Sequence, residues 1–99
     1  MIDTTPFLSI ALNYLAQGRY KDAMADCDAV LLVDPNFANA YFTRGNASYA
    51  IKHYNEAIAD YNQATSLKPI AAFYNNRGNA YRALKHTNAQ NRTTPKRFA

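Results

Sequence analysis

The sequence contains little of what disulfide-rich, membrane-spanning or exported proteins need. One cysteine, Cys27, no tryptophan and three glycines occur among 99 residues. A single cysteine excludes an internal disulfide and fits a reducing compartment. No apolar run approaches the roughly 18 residues of a membrane-spanning helix, and the segment Met1–Thr4 lacks the positive charge of an export signal. We therefore expect a soluble, cytoplasmic protein without membrane contact.

Acidic side chains are also scarce, and their distribution matters more than their number. The chain has 11 Lys and Arg against seven Asp and Glu, a net charge of +4. Residues 1–84 carry seven side chains of each sign, so the excess lies in the last fifteen residues, on Lys85, Arg92, Lys96 and Arg97. A basic tail without a basic folded face disfavours nucleic acid as the main partner. Contact between nucleic acid and the tail is a third alternative for function.

An internal repeat organises the chain. The segment Arg44–Ala47 returns 33 residues later as Arg77–Ala80 with the same four residues. A period of 34 relates the first copy to the N-terminal third of the chain. The positions that align across this period pair Ala11 with Gly45, Ala23 with Ala57, Cys27 with Tyr61, and Pro35 with Pro69. Self-similarity at this period is typical of helical repeat arrays.

The middle unit resembles the tetratricopeptide repeat family through its spaced residues Tyr41, Gly45, Ala57, Tyr61 and Pro69. The resemblance extends over about residues 4–84. It implies an all-α fold, a short α-solenoid of antiparallel helix-turn-helix repeats with right-handed superhelical stacking and about two and a half repeats. The units are expected at 4–37, 38–70 and 71–84, the last one partial, with a basic polar tail at 85–99.

Apolar periodicity and chain breakers predict the helix bounds. The first helix, capped by Thr4, is expected to end near Gln17, and the second begins at Tyr20. The next three are expected at about 38–51, 54–67 and 70–85, with breaks at Pro35 and Pro69. Small residues predict where the helices of one hairpin approach closely. A larger residue at either repeat glycine is expected to splay its hairpin or to shift the stacking between units. These small positions are Ala11, Ala23, Gly45, Ala57 and Gly78.

The third unit lacks an apolar second helix, because polar residues follow Lys85. A terminal repeat normally needs a cover for its apolar side. We expect Tyr74, Tyr81 and Leu84, with a contribution from Tyr61, to form an exposed edge. A second chain, or the tail through Phe98, is expected to cover this edge. The sequence therefore leaves a homo-oligomer open as the alternative function.

No residue pattern indicates an enzyme. A nucleotide-binding glycine loop, a zinc-ligand spacing and a nucleophile with a plausible base are all missing from the sequence. His53 and His86 occupy equivalent inter-helix positions and are interpreted as turn residues, while Cys27 is interpreted as a core residue. We expect no catalytic activity, no metal site and no cofactor.

The inner stripe of each first helix predicts a peptide-binding groove. Its residues recur at spacings of three and four, as one helix face requires. They are Leu8, Leu12, Asn39, Phe42, Asn46, Tyr49, Asn75, Asn76, Asn79 and Arg82. The resemblance implies that Asn46, Asn76 and Asn79 bond a peptide backbone. Apolar contact would come from Leu8, Leu12, Phe42 and Tyr49, and Arg82 would meet an acidic group.

The function expected from this groove is binding of a peptide or helix of a partner protein, without catalysis. Asparagine amides both donate and accept hydrogen bonds, so they suit backbone pairing. The alternative interpretation is that the asparagines are solvated residues on an exposed helix face.

Overall fold

Five helices make up the part of the chain that the structure describes. The computed structural model describes residues 3–96, with side chains as far as Asn88. The helices are α1 (Thr5–Ala16), α2 (Tyr20–Val33), α3 (Ala38–Ala50), α4 (Tyr54–Leu67) and α5 (Ala71–Lys96). The helices α1 and α2 form one hairpin and α3 and α4 a second, while α3 packs on α2 and α5 on α4. The predicted all-α repeat architecture is confirmed, and residues 3–96 contain no strand.

Matched turns close the two hairpins. Gly18 has φ +76° between α1 and α2, and Lys52, its equivalent one period later, has φ +66°. In both turns the next residue, Arg19 or His53, donates its N–H to a carbonyl in the last turn of the preceding helix, at 2.9 and 2.8 Å. A left-handed residue with this bonding satisfies carbonyls that a helix end leaves unpaired. The predicted stop at Gly18 is confirmed.

The two interior prolines separate the repeats as predicted. Asp34, before Pro35, has φ −132° and ψ 84°, and Lys68, before Pro69, is extended at φ −145° and ψ 130°. Proline disfavours the helical conformation for the residue that precedes it. The predicted cap at Thr4 is wrong, because its side chain makes no capping bond. Instead the carboxylate of Asp3 accepts the N–H of Thr5 at 3.0 Å.

The helix α5 differs most from the prediction. It was expected to end near Lys85, and it continues through the equivalent of the Lys52 turn as far as Lys96. The segment 86–96 has no apolar stripe that a second helix could bury. Without that burial a hairpin gains little, since tertiary packing supplies most helix stability in proteins. The predicted helix end is therefore wrong, while the division between array and tail stays a prediction.

Close packing in the second hairpin depends on Gly45. A Cβ atom added there would lie 2.8 Å from the Tyr61 ring and 3.3 Å from the carbonyl oxygen of Ala57. The predicted contact between Gly45 and Ala57 is confirmed. In the first hairpin the positions equivalent to Gly45 and Tyr61 hold Ala11 and Cys27, which are both fully buried in one cluster. Because cysteine is smaller than tyrosine, Cys27 leaves room for the methyl group of Ala11. In each hairpin the residue on the first helix is therefore matched in size to the residue it faces on the second helix.

The second repeat glycine, Gly78, lies in a different environment. A Cβ added to Gly78 would meet only the tip of Arg82, at 3.8 Å. Within residues 3–96 no second helix packs on this side of α5, and the atoms near an added Cβ include no backbone of another helix. The expectation that a larger residue at Gly78 would splay a hairpin is therefore wrong.

Candidate binding groove

A hydrogen-bonded trio joins the three helices of the C-terminal half. The Tyr61 hydroxyl on α4 donates to Oδ1 of Asn46 on α3, at 2.6 Å. Nδ2 of Asn76 on α5 donates to the same oxygen, at 2.9 Å. Because Tyr61 is 1% exposed, its hydroxyl is fixed by packing, and it in turn orients the Asn46 amide.

The trio lines a concavity of about 220 Å³ together with Tyr49 and Asn79. Asn46 and Asn76 are half-buried. The oxygen of Asn46 is occupied by the trio, so its two N–H donors and the oxygen of Asn76 are the groups left to meet a ligand. Asn79 accepts a hydrogen bond from the Arg82 guanidinium. The wall thus offers amide donors and acceptors beside one cation.

Four of the predicted groove residues come together in this concavity: Asn46, Tyr49, Asn76 and Asn79. Asn75 lines a separate shallow depression with Tyr74. Leu12, at 47% exposure, and Asn39 are solvent-accessible but do not line the concavity.

Two apolar residues assigned to the groove belong to the core. Leu8 is only 6% exposed and packs in the cluster that contains Cys27 and Val30, so its assignment as a groove contact is wrong. The Phe42 ring is half-buried and lies 5.8 Å from Tyr61 and 4.6 Å from Phe73, between ring centroids. Both side chains lie between the second helix of their own hairpin and the first helix of the next unit, because a first helix is covered on two sides in a stacked array.

Sequence reasoning missed the part that Tyr61 has in the groove. The residue was placed at the exposed edge, whereas its ring is buried against Gly45 and its hydroxyl lies at the wall of the concavity. A signal was present in the sequence, since a buried tyrosine needs a partner for its hydroxyl and Asn46 follows Gly45 directly.

The predicted exposed edge is reduced to two tyrosines. Tyr74 and Tyr81 are 44% and 49% exposed. Leu84 is half-buried and packs against the cluster of Ala57, Ile58, Tyr61 and Ala80, so its placement at an open edge is wrong.

Arg44 connects α3 to both neighbouring helices. It bonds the Asp60 carboxylate on α4 with two nitrogens, at 2.9 and 2.7 Å, and Asp28 on α2 at 2.8 Å. Asp60 is buried and Asp28 exposed. Hydrogen bonding to Asp60 is the largest cause that raises the pKa of Arg44 above its ordinary value. The bidentate geometry makes this one of the stronger polar contacts available to a protein.

The first repeat retains the acid of this pair without the arginine. Asp26 is equivalent to Asp60, and Ile10 stands where Arg44 stands one unit later. Within the described residues Oδ2 of Asp26 is buried without a hydrogen-bond partner. Ile10 and Asp26 border an apolar cavity of about 180 Å³ that Phe7 and Val33 also line.

The free energy of unfolding is expected to fall at alkaline pH, because two buried side chains keep their protons. Burial raises the pKa of Cys27 to about 12 and also raises the pKa of Tyr61. The unfolded chain loses the Cys27 proton near pH 9.0 while the folded chain keeps it. The contribution of the protonated Cys27 thiol to the free energy of unfolding is therefore complete below about pH 9 and is lost as the pH rises toward 12. We expect urea denaturation to give a falling free energy of unfolding between about pH 8 and 11, with a shallower decline for Cys27→Ala. Equal slopes for both proteins would contradict this assignment.

Family comparison matches two adjacent units of the chain. Residues 6–37 and 38–70 each match a model described as tetratricopeptide repeat. The chain belongs to the tetratricopeptide repeat family. Tetratricopeptide repeats generally mediate protein–protein interaction. The two matched segments coincide with the two hairpins α1–α2 and α3–α4.

Curated relatives share parts of this tetratricopeptide repeat array. The chain is 35% identical over 51 residues to a DnaJ homolog subfamily C member 7 homolog of Dictyostelium discoideum, a match that covers 52% of the chain and 10% of the relative. It is 34% identical over 65 residues to serine/threonine-protein phosphatase T of Trypanosoma brucei brucei, covering 66% of the chain and 14% of that relative. The chain thus spans a small fraction of the curated relatives.

A solved tetratricopeptide repeat domain has the same fold. The NMR structure of the first TPR domain of the human RPAP3 protein superposes with a TM-score of 0.80 at 24% identity. The match covers 84% of this chain and 66% of that one. Among residues 3–96 no helix is long and apolar enough to cross a membrane.

Proposed function

We propose that the chain is a protein-interaction module whose concavity binds an extended peptide segment of a partner protein. The observation that supports this most is the fixed amide of Asn46, held by Tyr61 and Asn76 with its N–H groups free of partners among the described residues. A wall whose polar groups are already oriented loses little side-chain entropy when a peptide binds.

An extended peptide suits this wall better than a helix. The backbone N–H and C=O groups of a helix are bonded within the helix itself, except at its ends. Side-chain amides can pair with a backbone only where those groups are free, as in an extended strand. Tyr49, at 36% exposure, offers an apolar contact at the rim, and Arg82 offers a cation for an acidic side chain.

The groove proposal predicts that amide removal weakens peptide binding without unfolding the chain. Peptides selected from a random display library against the wild-type protein serve as probes, with dissociation constants from calorimetry. We expect Asn79→Ala to weaken binding several-fold, and the double variant Asn46→Ala, Asn79→Ala to weaken it at least about tenfold, which is 1.4 kcal/mol. Helicity should be retained.

The matched control is Asn55→Ala, which removes an exposed amide on α4 outside the concavity. It should bind the selected peptides like the wild type. If no peptide can be selected, or if the groove variants bind as tightly as Asn55→Ala, the groove assignment fails.

Self-association is the second candidate, supported by the exposed rings of Tyr74 and Tyr81. It requires a mass that rises with protein concentration in sedimentation experiments. A protein that binds selected peptides and stays monomeric would favour the groove over this alternative.

A further inference from the structure

One face of α5 has the residues that receive a second helix elsewhere in the array. Gly78 is open on this face, with nothing but the Arg82 tip within 4 Å of an added Cβ. Tyr74 and Tyr81 lie four residues before and three after it, on the same side of the helix. We call Tyr74, Arg77, Gly78 and Tyr81 the third-unit face.

The second hairpin shows what such a face accepts. On α3, Gly45 meets the Ala57 backbone and the Tyr61 ring of α4, and the adjacent Arg44 bonds Asp60 of the same helix. The three α4 residues form the pattern small–x–x–acid–aromatic, because Ala57, Asp60 and Tyr61 lie within five consecutive positions.

Arg77 is placed as Arg44 is. Its guanidinium lies 5.2 Å from the Tyr74 ring, and that of Arg44 lies 5.6 Å from the Tyr41 ring. Arg77 bonds Asn62 at 2.9 Å, and Asn62 is the equivalent of Asp28. No carboxylate within the described side chains takes the place that Asp60 has beside Arg44. The face thus combines an open glycine, two exposed rings and a cation set for an acid.

We propose that the third-unit face docks a helix from a different protein, one that carries the pattern small–x–x–Asp or Glu–aromatic. The proposal concerns a site distinct from the peptide concavity, and it does not depend on that function. The incoming helix packs its small residue and aromatic ring against Gly78 and pairs its carboxylate with Arg77, as α4 does with α3.

Residues 1–99 themselves offer no ready source of this helix. Residues 85–99 contain no Asp or Glu, so the tail has no acidic side chain to offer Arg77. Within the array the pattern occurs at Ala57–Tyr61, and in a variant form at Ala23–Cys27. The small and final residues of both segments are buried in their own hairpins. A second copy of the chain would have to open a hairpin to supply either one.

The test uses a labelled synthetic peptide with the sequence of residues 53–69, which contains α4, and the full chain. Fluorescence anisotropy measures binding, and circular dichroism measures helix gain. We expect saturable binding to the wild type. Gly78→Ala should weaken it at least about tenfold, because the added methyl occupies the place that the peptide tyrosine needs. A peptide with Asp60→Asn should also bind more weakly.

Two further variants separate this proposal from misfolding and from the groove. Gly78→Ala should melt at or above the wild-type temperature, since its methyl meets no backbone. Asn76→Ala, altered in the concavity where the Asn76 amide bonds Asn46 of α3, should bind the helix peptide like the wild type. Absence of peptide binding, or equal binding by Gly78→Ala, overturns the proposal. A wild-type dimer that Gly78→Ala converts to a monomer also overturns it, because a second copy would then be the occupant.

Discussion

Replacing Gly45 by alanine should lower the free energy of unfolding by about 1–2 kcal/mol, although alanine is the better helix former. The methyl would lie 2.8 Å from a Tyr61 ring that is buried and hydrogen-bonded through its hydroxyl. Overpacking costs about 1–3 kcal/mol, and a contact this short with a fixed ring belongs to the upper part of that range. Subtracting the gain of about 1 kcal/mol from helix propensity leaves the net loss. Urea denaturation followed by circular dichroism measures the difference.

Gly78→Ala is the matched control for this substitution. It makes the same chemical change at the equivalent repeat position, where the methyl meets open space. It should raise the free energy of unfolding by about 0.5–1 kcal/mol through helix propensity alone. Alanine substitution at these two equivalent glycines should therefore change the free energy of unfolding in opposite directions. Changes in the same direction would contradict the packing argument.

A double-mutant cycle tests the cause. The first hairpin combines Ala11 with Cys27 where the second combines Gly45 with Tyr61. In a Tyr61→Cys background the Gly45→Ala substitution should therefore cost nothing or stabilise, even though Tyr61→Cys is itself destabilising. Neighbouring residues couple by about 0.5–3 kcal/mol. If the effects of Gly45→Ala and Tyr61→Cys on the free energy of unfolding are additive, the alanine methyl group does not clash with the Tyr61 ring.

Arg44→Met should be the most damaging single polar substitution, with a loss of about 2–4 kcal/mol in the free energy of unfolding. Methionine keeps an apolar stem on the Tyr41 ring but leaves Asp60 buried without its bidentate partner. Removal of the remaining charge in the double variant Arg44→Met, Asp60→Asn should recover part of the loss. Thermal and urea denaturation measure both variants.

The comparison substitution is Arg77→Met, at the equivalent position of the third unit. Arg77 bonds the neutral groups of Asn62 and Thr65. Its loss should cost less than about 1 kcal/mol, because no buried carboxylate is left behind. If both arginine substitutions cost the same, burial of Asp60 is not the source of the effect.

The repeat pattern was enough to predict the architecture. Spaced aromatic and small residues place the hairpins, and Pro35 and Pro69 place the breaks between repeats. These features are local, since a left-handed turn or a residue before proline is specified by a few neighbouring positions. The repeat also predicted the asparagine cluster, because Asn46 and Asn79 occupy equivalent positions on successive first helices and Asn76 lies one turn before Asn79.

The errors concern contacts made by a neighbouring helix. Leu8 was assigned to the groove because it lies on the inner stripe of α1, yet packing from the next repeat buries it. Gly78 was predicted to be a crossing point by analogy with Gly45, although no second helix of the described part of the chain packs against it. A one-dimensional pattern specifies which face a residue occupies, and it does not specify whether another element covers that face.

The size match between first and second helices limits how this molecule could be recombined. A chimaera that joins α1 to a copy of α4 would bring alanine against tyrosine, and one that joins α3 to a copy of α2 would leave a void between glycine and cysteine. Gene rearrangements that move single helices would thus be penalised, while those that copy a whole hairpin keep its internal fit. The smallest interchangeable module of this chain is the helix pair.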